Sequence, residues 1–100
     1  MADGASRAPD LSEIRERIDA VDRRIVQLLV ERSALVGEVV HYKQVRTMPV
    51  VDRQREDEML EHIETVAAGE GLDSRVAHQV LRAVIDAFTL LEVEQLGHAE

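Results

Sequence analysis

LSEIRERIDAVDRRIVQLLVERSALVGEVVHYKQVR, residues 11–46, is the stretch whose reading decides the fold. Stepping alternately by three and four from Leu11 gives Ile14, Ile18, Val21, Ile25, Leu28, Arg32, Leu35, Val39 and Tyr42, so nine of ten positions are apolar. That is the period of one face of a helix. Asp10-Leu-Ser-Glu13 reads as a capping box at its start, and no proline intervenes before Pro49. The spacing predicts a single helix from Leu11 to Arg46, which at about 1.5 Å per residue is roughly 54 Å long. Twice the radius of gyration of a compact 100-residue globule is only about 26 Å. Such a helix cannot be wrapped by its own chain, so the apolar stripe calls for a second chain.

Working outward, Thr47-Met-Pro-Val-Val51 should break the helix, because proline disfavours helical backbone at the residue before it. Asp52 stands where an N-cap belongs, and a second stripe through Arg55, Met59, Ile63 and Val66 runs to Gly69-Glu-Gly71. A third helix is expected from Asp73 or Ser74 through Ala77, Val80, Leu81, Val84, Phe88 and Leu91 to about Leu96. No strand pattern competes, so the fold expected is all-α, with one long and two shorter helices. Residues 1–9 read as a disordered lead-in, 10–96 as the helical domain and 97–100 as a frayed tail.

Composition removes several kinds of function. The chain carries 12 basic and 20 acidic side chains, a net charge of −8, and its aromatics are Tyr42 and Phe88. Nucleic acid is therefore an unsuitable partner, lacking both a basic excess and a stacking platform. With no cysteine there is no disulfide, thiolate metal site or thiol nucleophile. His41, His62, His78 and His98 have no i, i+4 histidine partner, so no metal is expected. No apolar run approaches the roughly 18 residues of a membrane span, and residues 1–9 lack the apolar core of a signal peptide. A cytoplasmic setting is expected.

Charges on the apolar stripes need a reason, since an unpaired charge there is costly. Arg32 interrupts the first stripe, and Lys43, the only lysine, lies eleven residues on, about 20° away around the helix. Arg55 lies on the second stripe and Glu92 one turn after Phe88 on the third. Arg32 alone would read as a polar residue setting the register of a coiled-coil seam. Charges contributed by three helices point instead to a polar pocket inside a bundle. Guanidinium and ammonium groups there suit a small anion, above all one with carboxylates.

Four blocks carry a resemblance: Ile14-Arg-Glu-Arg-Ile-Asp-Ala-Val-Asp22, Leu28-Leu-Val-Glu-Arg-Ser33, Val39-Val-His-Tyr-Lys43 and Pro49-Val-Val-Asp-Arg-Gln-Arg-Glu56. Over about Leu11 to Gln95 the chain resembles the all-helical chorismate mutases. The resemblance implies an intertwined homodimer with two sites, each lined by both chains, and rearrangement of chorismate to prephenate on the route to phenylalanine and tyrosine. That reaction is unimolecular and pericyclic, so it implies no cofactor. What a protein adds is confinement of the reactive conformer and charge aimed at the polarised transition state.

Position by position, the resemblance implies that Arg15 of the partner chain and Arg32 of the same chain each hold a substrate carboxylate. Lys43 would donate to the ether oxygen as its bond to carbon breaks. Asp52 and Glu56 would meet the ring hydroxyl, and Arg55 would support a carboxylate. Two positions depart from the pattern: Phe88 stands where the family commonly has serine, and Glu92 where many members have a glutamine donating to the ether oxygen. A shifted third helix would instead put Thr89 at the serine position. Glu92 can donate only when protonated. The same fold also resembles isochorismate pyruvate lyases and mutases of 4-amino-4-deoxychorismate, and Glu56 by itself does not separate a hydroxyl from an amine. A non-catalytic dimeric helical module is the alternative outside enzymology.

Overall fold

The computed structural model describes residues 10–98, with side chains through Gln95; the expected lead-in at 1–9 and the last two residues of the expected tail lie outside it. Three helices follow in order, α1 (Leu11–Arg46), α2 (Arg53–Glu70) and α3 (Ser74–His98), and there is no strand among the described residues. The first two match the sequence expectation in place and length. The third runs two residues past the expected end near Leu96, taking in Gly97 and His98. A glycine near a helix end costs only about 1 kcal/mol relative to alanine, too little to stop the backbone ladder.

Each boundary has a local cause. At the start of α1 the Asp10 carboxylate accepts from the Glu13 backbone N–H at 2.8 Å. At its end the Met48 N–H donates to the Lys43 carbonyl at 2.9 Å and the Thr47 N–H to the Gln44 carbonyl at 3.3 Å. This is a Schellman closure, and it forces Thr47 to a φ of 54°, left-handed backbone that favours glycine. Asp52 caps α2 by accepting from the Arg55 N–H at 3.1 Å. A second Schellman closure at Gly71, with φ 83°, ends α2, where glycine carries no side-chain penalty. Asp73 then starts α3, accepting the Arg75 N–H at 2.9 Å.

The chain divides into two compact units, one ending at Leu35 and one beginning at Val36. In the first unit the expected stripe is exposed, with Ile14, Ile18, Val21, Ile25 and Leu28 all open to solvent in the single chain. The second unit holds the core: Val40, Leu60, Ala67, Ala77 and Ile85 are buried, with α2 packed on α3. Here the structure corrects the second stripe. The buried row of α2 is Glu56, Leu60 and Ala67, one position on from Arg55, Met59 and Val66. Arg55 is exposed and Val66 is 40% exposed. Both rows hold apolar residues at helical spacing, and helix period alone does not say which faces α3. On α3 the most buried residue is Ile85, whereas Val80 and Leu91 of the expected stripe are exposed.

Asp73 and Arg75 make a pH-sensitive clasp at this corner. The Arg75 guanidinium, and secondarily its backbone N–H, hold the Asp73 carboxyl below its ordinary value of 3.8. A lowered folded value means the contribution is complete above the ordinary value and disappears as pH falls through the lowered one. Arg75→Gln is therefore expected to be slightly less stable than the unaltered chain at neutral pH, with the difference closing in acid. Denaturation midpoints read at intervals down to about pH 2 check this, and a difference that persists undiminished would contradict it.

Candidate active site

Lys43 and Glu92 meet in the second unit. The Lys43 Nζ stands 3.7 Å from Glu92 Oε2, and both side chains are well covered, at 15% and 13% exposure. The same Nζ donates to the Val50 carbonyl at 2.7 Å. The Schellman closure at Thr47 turns the chain so that residue 50 comes back over the last turns of α1, and a backbone oxygen thereby fixes the ammonium. A lysine otherwise carries large rotamer freedom, so this contact aims a point charge. In this arrangement Glu92 is the counter-ion of Lys43. Phe88 lies one turn before it on α3 and is half-buried.

A second polar group sits between α2 and α3. Glu56 is 5% exposed, the only buried charged residue among those described. Its Oε1 accepts from the Arg82 guanidinium at 2.8 Å and from Arg53 at 3.3 Å. Arg82 also reaches Asp86 at 2.7 Å through the same Nη2 and at 3.2 Å through Nε. Glu56 first, then Asp86, raise the Arg82 guanidinium above its ordinary value. The first helical turn of α2 thus combines a cap, Asp52, with a buried carboxylate, Glu56.

The remaining expected residues are placed as follows. Asp52 is exposed and one of its oxygens is engaged in the cap. Arg55 offers its backbone to that cap while its side chain is exposed, so in the single chain it does not occupy the inward position expected of it. In the first unit Arg15 is exposed and Arg32 is half-buried. Two participants escaped the sequence reading, the Val50 carbonyl and Arg82. No side-chain pattern announces a backbone oxygen. Arg82 left one signal, its i, i+4 spacing to Asp86 on a helix with few cations.

Comparison with known proteins bears on this constellation. A sequence profile described as chorismate mutase type II matches residues 14–93, taking in all of α2, most of α1 and α3, and both Lys43 and Glu92. The chain belongs to the chorismate mutase type II family. It is 27% identical over 90 residues to a chorismate mutase of Methanocaldococcus jannaschii, covering 90% of this chain and 91% of that protein. It is 32% identical over 82 residues to the bifunctional chorismate mutase/prephenate dehydratase of Escherichia coli strain K12, and 32% over 72 residues to the T-protein of Haemophilus influenzae. Those alignments cover 82% and 72% of this chain but only 21% and 19% of the two longer proteins. Membership accounts for the all-α architecture and places the chain among isomerases. No helix among the described residues is long and apolar enough to cross a membrane.

The turn that brings Val50 over Lys43 carries measurable strain. A β-branched residue in left-handed backbone costs about 1–2 kcal/mol, part of which glycine recovers despite its freer unfolded chain. Thr47→Gly is expected to raise stability by about 0.5–1 kcal/mol. Chemical denaturation at one fixed protein concentration checks it, and a loss of stability would contradict the strain.

Proposed function

We propose that this protein is a chorismate mutase that rearranges chorismate to prephenate as a homodimer. The observation that carries the reading is the Lys43 ammonium, held at 2.7 Å by the Val50 carbonyl and facing Glu92 at 3.7 Å in a nearly covered position. As the carbon–oxygen bond breaks, negative charge develops on the ether oxygen. A pre-aimed ammonium stabilises that charge more than it stabilises the ground state, which is what lowers the barrier. Confinement supplies the rest, since the open-chain enol ether must be folded over the ring before the new carbon–carbon bond can form.

In this reading Arg32 grips one carboxylate of the substrate, with Arg55 supporting a carboxylate from the start of α2. Asp52 and Glu56 meet the ring hydroxyl, Glu56 accepting its single proton, and Phe88 packs on the substrate where a serine would have bonded. Arg15 comes from the second chain. Its distance of 17 positions from Arg32, about 100° around the same helix, is too great for both to serve one ligand from one chain. The exposed stripe of α1 supports the dimer: Ile14, Ile18, Val21, Ile25, Leu28, Leu35, Val39 and Tyr42 are each 40% exposed or more. A contiguous apolar surface of that length is what a partner chain covers.

Glu92 then has two roles that exclude each other. As a carboxylate it is the counter-ion of Lys43, and only when protonated can it donate to the ether oxygen. Glu92→Gln, which carries a donor where a carboxylate has none, is therefore expected to raise kcat. Loss of the enol-ether absorbance of chorismate, with product trapped in acid as phenylpyruvate, provides the assay. A kcat unchanged or lowered in Glu92→Gln would overturn the need for a donor at this position. Lys43→Ala is expected to lower kcat by about 10²–10³, and an unchanged rate would overturn the mechanism. Running isochorismate and 4-amino-4-deoxychorismate beside chorismate identifies the substrate.

A further inference from the structure

We infer that Arg82 is a positioning residue for substrate recognition: it fixes Oε1 of Glu56 so that Oε2 is presented to the ring hydroxyl. This rests on the reading of the site as one that binds chorismate.

Packing alone does not explain the pair. Leu60 and Ala67 of α2 and Ala77 and Ile85 of α3 are already buried. Adding a carboxylate to that row costs desolvation which an apolar residue of similar size would avoid. The geometry is also directional. Both guanidinium contacts to Glu56 fall on the same oxygen, Oε1, at 2.8 and 3.3 Å. Arg53 is 81% exposed and holds weakly, whereas Arg82 is 32% exposed and is itself anchored through Nε and Nη2 to Asp86. The Asp86 carboxylate orients the Arg82 fork, and the fork orients Glu56. A glutamate has three rotatable side-chain bonds, and holding one carboxylate oxygen leaves the other in a narrow range of positions. A hydroxyl then finds its acceptor already in place instead of ordering it on binding, which is how a fixed acceptor gains discrimination.

The measurement is a preference: kcat/KM for chorismate divided by kcat/KM for the analogue whose ring hydroxyl is replaced by hydrogen. Loss of folded protein scales both numbers alike and leaves their ratio untouched. Arg82→Gln is expected to lower the ratio about tenfold, Arg82→Lys about threefold, and Glu56→Gln at least as far as Arg82→Gln, with no further fall in the double variant. Arg82→Lys keeps the charge without the planar fork, and it serves as the readable variant if Arg82→Gln does not fold. A ratio unchanged in the Arg82 variants overturns the inference while leaving the mutase reading intact. A ratio unchanged by Glu56→Gln overturns it as well, by removing Glu56 from recognition. If the unaltered protein does not turn over chorismate, the functional reading fails and the inference with it.

Discussion

The apolar stripe of α1 is the constraint on which the rest depends. It runs along a helix of 36 residues, and the single chain leaves most of it exposed. α2 and α3, at 18 and 25 residues, are both shorter than α1. In the dimer proposed above, a second copy covers this apolar surface, and the same association would bring Arg15 to a site it cannot reach from its own chain. Stability and substrate binding would then be joined in one interface. On that proposal, a defect in α1 that weakens the dimer would also empty the site.

Within the second unit, two short polar arrangements do different work. The turn closing α1 uses backbone groups to hold an ammonium, while the start of α2 uses side chains to hold a carboxylate. Lys43 is anchored by a carbonyl, which does not titrate, and Glu56 by a guanidinium, which stays charged at any working pH. Both anchors therefore persist over the working pH range. The overall charge of −8 does little to oppose an anionic substrate, because most acidic residues sit on exposed faces and salt screens their field beyond about 10 Å. Local geometry decides binding.

Much of this was legible in the sequence because periodicity and caps are local. The run from Leu11 to Arg46, the cap at Asp52 and the stop at Gly71 each depend on a few neighbouring residues, and all three stand where the pattern put them. The face of α2 was not legible. Arg55 and Glu56 are adjacent, both rows behind them are partly apolar, and the choice is made by α3 through Ile85 and Arg82. That contact spans 26 positions, and no single-helix pattern encodes it. The Val50 carbonyl was equally invisible, since any residue supplies one. Lys43 was singled out by its rarity and Glu92 by its place beside the α3 stripe, and the structure sets the two 3.7 Å apart.

Sharing of the site between chains is the central claim, and mixing two inactive variants tests it most directly. Arg15→Ala and Lys43→Ala each disable both sites of a homodimer, but a mixed dimer holds one intact site and one doubly altered site. Unfolding and refolding equal amounts together gives about half mixed dimers by random pairing, so about a quarter of the unaltered activity should return. Activity that stays at the sum of the two separate variants would contradict a shared site.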